Sequence, residues 1–422
     1  FGAAVVAWTV LDLDETPVAM AAALAMIAVG AVSVDSLLAG PGHRFLWLLV
    51  GAFVLAAALQ ISGLGGRCAC WALASVRTPR ALMLRVTWLI VATAFVVPST
   101  SGRAALMLPV FLSLAQTMPG QRHVRALALL FPSVILLSAC ASLPGAGAHL
   151  VALDFMQRLG GPSIDYLHWA VLAAPFGVLS SLLACESILR LFLTESERDT
   201  TLVLAAAPRT PLTRSQWGSA AVVTTAMIGW CTQTLHGIPA AIVAIAAALA
   251  ATVKPLTGVT LSAALMKVEW RLVLLMAAIV VMSEALVGTG AAHGLAQILA
   301  NTSALQPLPA AARIALVALL ALLAHLVLAS RTARTTVLIP TMALPFAGAT
   351  VDAALLVFVV TIGSGFCQTM TISSKPVAMF AGKDAPHYTR SDLAGLSLAL
   401  LPGLWGMLVL FALYVWPPLG LG

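Results

Sequence analysis

Two short stretches of the chain gather residue types that could do chemistry, and they are two copies of one pattern. Ser99-Thr-Ser-Gly-Arg-Ala-Ala-Leu-Met-Leu-Pro109 recurs 231 residues later as Ser330-Arg-Thr-Ala-Arg-Thr-Thr-Val-Leu-Ile-Pro340, pairing Ser99 with Ser330, Arg103 with Arg334 and Pro109 with Pro340. Each copy breaks an apolar run with hydroxyls and a guanidinium, then resumes an apolar helix. That would aim helix-terminal N–H groups and a cation at one place inside a bilayer, which are the parts of an anion site. A guanidinium at that depth costs at least about 2.5 kcal/mol on insertion scales and needs a compensating role. The matched pair Arg103 and Arg334 is therefore expected to bind substrate. The competing reading is that each pairs with a carbonyl or carboxylate of the protein and only stabilises its tip.

Ser99, Thr100, Ser101, Ser330, Thr332, Thr335 and Thr336 offer hydroxyls to the same anion, although Ser and Thr also cap helices or bond back to helix carbonyls. Arg331 and Lys375 are further cations, either of which could instead snorkel toward a water-filled vestibule. Gly145 and Gly147 sit in an interruption, Ser142-Leu-Pro-Gly-Ala-Gly147, where backbone could approach a ligand; Gly also serves plain helix packing. Thr371, Ser373, Ser374 and Lys375 lie in a second interruption that runs from Cys367 to Pro376. Glu186 and Glu284 stand within apolar helices and could carry a proton, with Arg190 one turn beyond Glu186 as its partner. His149 and His325 read as packed, hydrogen-bonded histidines. The six cysteines read as small core residues, since Cys68-Ala-Cys70 has no histidine cluster beside it. No metal or cofactor is expected beyond Na+ or H+ as a coupling ion.

The elements that must position these residues are membrane helices. With 61% hydrophobic and 9% charged residues over 422 positions and a mean hydropathy of +1.03, the chain has more apolar surface than a soluble domain could hide. The net charge of +7 comes mostly from Lys and Arg in short loops, where the positive-inside bias explains it without nucleic acid. Residues 1–11 resemble the tail of a membrane helix, with neither an initiator Met nor a charged signal-peptide start, so the natural chain is expected to begin earlier. Runs 17–38 and 44–64 are near the ~20 residues that span ~30 Å of hydrocarbon, and 65–80 reads as an amphipathic cytoplasmic segment. Runs 82–98 and 103–118 are basic at both outer ends, which makes them a re-entrant hairpin with its tip at 98–103. A broken run 126–158, a helix 167–194 and a polar cytoplasmic linker 195–216 complete the first half.

The second half repeats the first. Helices are expected at 217–236, 238–253 and 269–289, then an amphipathic 291–302, a hairpin of 309–329 and 334–350, a broken run 352–382 and a last helix 393–416. Trp8 matches Trp230 at an offset of 222 and Leu59 matches Leu286 at 227, so the offset drifts as loops are inserted into an internal repeat. The flanks of the second hairpin carry only Arg313, far fewer cations than those of the first. It should open to the opposite side of the membrane, which inverts the two halves.

The two Ser motifs, each followed by an apolar helix ending in Pro, resemble the Ser-Asn-Thr signature of the divalent anion/sodium symporter family of the ion transporter superfamily. The stretch Phe45 to Gly63, the segment Leu256-Thr-Gly-Val-Thr260 running into Trp270, and both breaks resemble that family too. The resemblance implies an all-α polytopic fold, an inverted-repeat elevator-type transporter with two re-entrant hairpins and two broken transmembrane helices, assembled as a homodimer in a bacterial inner membrane. It assigns 1–80 and 217–302 to a scaffold and 81–194 and 303–422 to a transport domain, and it favours Ser99, Ser101, Ser330 and Thr332 as site residues. The chain departs from the pattern: Thr100 and Arg331 replace the motif Asn, Arg103 and Arg334 replace a second Thr, and Ser373-Ser-Lys375-Pro376 replaces a Pro-Pro-Asn-like run. Sodium needs oxygen ligands, and a guanidinium has none.

The expected function is carriage of divalent organic anions of the C4 dicarboxylate kind without sodium, by exchange, facilitated diffusion or proton coupling. A tethered cation would replace sodium's electrostatic role without supplying coupling energy. Alternatives are a sulfate or other oxyanion carrier, a sodium-coupled dicarboxylate symporter, and an anion channel, although channels usually form their pores by symmetry or charged rings. An intramembrane enzyme would need a nucleophile with its base or a His-Glu-x-x-His cluster, and the sequence has neither.

Overall fold

A computed structural model of the chain describes residues 1–421 except 10, 12, 74, 203–210, 293, 295–296, 299–307, 349, 372–373 and 383–386. Among the described residues, eight helices of the first half have counterparts in the second. The first set is α1 (Gly2–Thr9), α2 (Glu15–Ala28), α3 (Arg44–Ser62), α4 (Pro79–Thr93), α5 (Thr100–Ala115), α6 (Gln121–Leu137), α7 (Gly147–Arg158) and α8 (Tyr166–Phe192). The second is α9 (Arg214–Cys231), α10 (Ala240–Ala251), α11 (Trp270–Gly288), α12 (Ala310–Leu323), α13 (Arg331–Leu338), α14 (Ala353–Gly363), α15 (Lys375–Phe380) and α16 (Arg390–Leu410).

Helix starts follow local chemistry. Thr78 caps α4 ahead of Pro79, Asp165 accepts the His168 N–H at 2.7 Å to start α8, and Thr213 with Gln216 and Thr389 with Asp392 form capping boxes on α9 and α16. In each case a side-chain oxygen satisfies an N–H that has no partner within its helix. The expected run 17–38 is not one helix. It ends at Ala28, turns through Gly30 at φ 74°, and restarts as the short helix Val34–Ala39. That leaves α2 at 14 residues, short of a full span. The second interruption opens at Ser364, three residues before the expected Cys367. Residues 203–210 of the linker and much of 291–302 lie outside the described residues.

Packing repeats with the sequence. α2 lies against α11 as α10 lies against α3, α4 against α6 as α12 against α14, and α5 against α15 as α13 against α7. The α3–α10 contact is close because Gly51 has no side chain: a Cβ there would meet the Ala244 backbone at 2.7 Å. At the centre, α6 from Ala126 to Leu137 and α14 from Ala354 to Gly363 are buried throughout. α8 packs along α6 and against α16, and beyond the end of α16 the Trp416 indole N–H donates to the Leu172 carbonyl of α8 at 2.9 Å. Among the described residues, five stretches are long and apolar enough to cross a membrane: Val34–Ser62, Gln121–Ala141, Tyr166–Phe192, Trp270–Gly288 and Arg390–Val415. Large apolar side chains such as Leu398 and Leu410 remain exposed on outer helix faces, as a bilayer requires.

Candidate substrate site

The hairpins and broken helices all begin at one place. Ser99–Ser101 at the head of α5, Ala146 and Gly147 at the head of α7, Ser330–Ala333 at the head of α13 and Ser374–Pro376 at the head of α15 line a cavity of about 410 Å³. The heads of α2 (Asp14–Thr16) and α11 (Glu269–Leu272) close its other side. Convergent helix N-termini carry partial positive charge and unpaired N–H groups, so the backbone alone makes this cavity attractive to anions.

The side chains sharpen that preference. Ser99 is the one non-glycine residue with positive φ among those described, at 84°, a strained geometry of the kind found at binding sites. Its hydroxyl accepts the Gly102 N–H at 3.1 Å and donates to Glu269 Oε1 at 2.5 Å. Ser330 repeats the cap, accepting the Ala333 N–H at 3.3 Å, and Glu15 lines the same cavity. Arg331, the first residue of α13, points its guanidinium at the cavity wall. Nη2 donates to His149 Nε2 at 3.1 Å, while Nε and Nη1 have no hydrogen-bond partner among the described residues. His149 Nδ1 lies 3.0 and 3.2 Å from the Ser142 and Leu143 carbonyls, so it carries the hydrogen and leaves Nε2 to accept from Arg331. His149 is thus a neutral prop for a cation. Lys375 adds a second cation from α15, and Asp14 forms an ion pair with Arg271.

Arg103 and Arg334, expected to bind substrate, do not line the cavity. Both are fully buried. Arg103 donates from Nε to Thr93 Oγ1 at 3.0 Å, from Nη1 to the Ile135 carbonyl at 2.8 Å, and from Nη2 to the Ile90 carbonyl and Ser138 Oγ, both at 2.7 Å. Arg334 donates to the Leu328 and Ser364 carbonyls at 2.9 and 2.8 Å. Ile90 and Ile135 lie in the last turns of α4 and α6, and Ser364 ends α14, where carbonyls lack intrahelical partners and the helix dipole is negative. The reason is position. Arg103 and Arg334 stand four residues past their caps, one turn behind the tip, whereas Arg331 is the residue next to its cap.

Of the other expected site residues, Ser99, Thr100, Ser101, Ser330, Arg331, Thr332, Gly147, Ser374 and Lys375 come together at the cavity. Gly145 and Thr371 do not, and Ser373 lies outside the described residues. Gly145 is a packing glycine, since a Cβ there would sit 2.2 Å from the Ala139 carbonyl oxygen. Thr335 and Thr336 bond back to the carbonyls of Arg331 and Thr332 at 3.2 and 3.0 Å. Glu186 pairs with Arg190 at 2.6 Å, as its spacing predicts. Glu284, the candidate proton carrier, lies elsewhere, bonded to Ser36 at 2.8 Å and 3.7 Å from Arg158. Sequence reasoning missed Asp14, Glu15, Glu269 and Arg271. The available signal was an acidic residue standing directly at the head of an apolar helix.

A bundle of paired helical repeats with interrupted helices whose N-termini meet at one polar cavity defines a membrane transporter. The chain belongs to the family described as the sodium:sulfate symporter transmembrane region, the divalent anion/sodium symporters, whose model matches residues 1–421. A citrate/succinate antiporter of Escherichia coli K12 is 24% identical over 319 residues, covering 72% of this chain and 64% of that protein. A protein of Cupriavidus necator called simply a membrane protein is 24% identical over 313 residues, 72% of this chain and 61% of its own. These matches span less than two thirds of the relatives' length. The structure of the Alcanivorax borkumensis YdaH transporter shares the fold, with a TM-score of 0.65 at 17% identity over 92% of this chain and 91% of that one.

Proposed function

We propose that this protein carries dianionic organic acids of the C4 dicarboxylate kind across a bacterial plasma membrane without sodium. The observation that supports this best is the division of labour between its arginines. In transporters with broken helices, half-helix C-termini and unwound carbonyls commonly hold the coupling cation; in this chain Arg103 and Arg334 donate to such carbonyls. A tethered guanidinium neutralises them permanently but cannot be released on the far side, so it supplies no coupling energy. Exchange or downhill flow follows. Arg331 and Lys375, which line the cavity, are the cations for the two ends of a dicarboxylate. Hydroxyls of Ser99, Thr100, Ser101, Ser330, Thr332 and Ser374 and the backbone at Gly147 complete the site. The name of the citrate/succinate antiporter among its relatives agrees with this reading.

In this proposal α4–α8 and α12–α16 form the moving unit, residues 81–194 and 303–422, and α1–α3 and α9–α11 form the scaffold of a homodimer. The linker 195–216 is cytoplasmic, and the moving unit crosses as an elevator. Counterflow of labelled succinate into proteoliposomes, with sulfate as competitor, tests the function. Saturable counterflow that succinate inhibits better than sulfate is expected. The reverse order would make this an oxyanion carrier, and an ohmic current a channel.

A further inference from the structure

α7 begins at the cavity and ends in a polar cluster that substrate binding does not use. Asp154, one turn before its end, is only 4% exposed. It accepts from Arg158 Nε of the same helix at 3.0 Å and from Ser283 Oγ of α11, and it lies 3.7 Å from His43 Nε2 at the head of α3. Arg158 Nη2 donates to the Val280 carbonyl of α11 at 3.4 Å and lies 3.7 Å from Glu284, which Ser36 holds in turn at 2.8 Å. Beside them the Arg44 guanidinium donates to Gln157. Among the described residues, the ion pairs that join α4–α8 and α12–α16 to α1–α3 and α9–α11 are Asp154 with His43 and Arg158 with Glu284, and both lie in this cluster.

Two features suit a joint that opens. Asp154 and Arg158 neutralise each other on one helix, so they can leave the scaffold together without stranding a buried charge. Ser283 and Glu284 have no counterpart across the repeat: at the offset of 227 that relates α3 to α11, Ala56 and Ala57 stand in their places. In a carrier built from inverted repeats the two end states exchange the roles of the halves, so a joint built in one half alone holds one end state alone.

We propose that Asp154 and Arg158 form a one-sided clasp on Ser283, Glu284 and His43, which deepens the end state described here and makes release from it the slower of the two crossings. The proposal rests on the reading in which α4–α8 and α12–α16 move past the scaffold, and it adds to that reading the contact that sets the rate. The clasp lies outside the substrate cavity, so it acts on crossing and not on affinity.

The test measures exchange of labelled succinate by the full chain in proteoliposomes, and succinate binding in detergent. Ser283→Ala and Glu284→Gln weaken the clasp from the scaffold side and leave the Asp154–Arg158 pair intact. The double variant should exchange about tenfold faster at saturating succinate, the worth of one hydrogen bond to a charged group, with affinity unchanged. Arg44→Ala, at an exposed bond of the same joint, should move the rate the same way and serves where the double variant does not fold. In a second arm, Arg44→Cys/Gln157→Cys bridged by a short, reducible bifunctional thiol reagent should stop exchange until the bridge is reduced. Exchange no faster than wild type in the weakened variants, or a change in affinity that accounts for the rate, overturns the clasp and leaves the moving unit standing. A bridged protein that still exchanges overturns the moving unit and the clasp together. A wild-type protein that does not exchange succinate overturns the functional reading and this proposal with it.

Discussion

Changing Arg331 and Arg103 in parallel separates a ligand-binding cation from a structural one, although the two lie three residues apart in equivalent motifs. Arg331 makes two bonds inside the protein, at 3.1 Å to His149 and at 3.4 Å to the Thr361 carbonyl. Arg331→Gln therefore removes little from the fold, and a change within about 1 kcal/mol is expected. Its cost falls on the substrate: a hydrogen bond to a charged group contributes roughly 1.5–3 kcal/mol, so succinate affinity should fall about 10- to 150-fold. Arg103→Met does the reverse. It removes four hydrogen bonds. The Ile90 carbonyl keeps the Thr93 hydroxyl and Ser138 keeps the Val134 carbonyl, so the loss concentrates on the buried Ile135 carbonyl. With the lost charge-assisted bonds, that comes to roughly 2–4 kcal/mol of stability. Thermal unfolding in detergent and succinate titration of both variants are the assays. An Arg103→Met protein with a normal unfolding midpoint and lost affinity, or an Arg331→Gln protein with normal affinity, would refute the division of roles.

Two further outcomes test the local geometry. Ser99→Gly should be more stable than Ser99→Ala by about 1–3 kcal/mol, because both lose the hydroxyl but only glycine is at ease at positive φ; equal midpoints in thermal unfolding would argue against a strained tip. Gly145→Ala should lower the unfolding midpoint by the equivalent of about 1–3 kcal/mol, since its Cβ has no room beside Ala139. Gly102→Ala, whose Cβ would meet nothing nearer than Val97 Cγ1 at 3.4 Å, should be tolerated far better.

Much of this was legible because periodicity and repetition are properties of the chain itself. The two Ser motifs located both hairpin tips, and the Gly and Pro interruptions located both broken helices, because an apolar run can be broken in a membrane only where backbone finds other partners. What the sequence could not reveal was direction. Arg103 and Arg334 match across the repeats, and that symmetry made them look like the substrate pair; yet a side chain four residues past a cap faces back along its helix, while Arg331, with Thr100 as its counterpart, faces the cavity. Glu15 and Glu269 were invisible for another reason. Glu269 bonds Ser99, 170 residues away, and Glu15 lines the same cavity as Ser330 of the other half, while nothing local marks a carboxylate at the head of a helix as more than a cap.

The central claim is that two tethered guanidiniums stand in for the coupling cation. Its most direct test is the initial rate of labelled succinate exchange in proteoliposomes with potassium or choline replacing all sodium. The rate should be the same in all three salts and should not change as sodium is titrated back. A strict sodium requirement with a sigmoidal dependence on its concentration would contradict the claim.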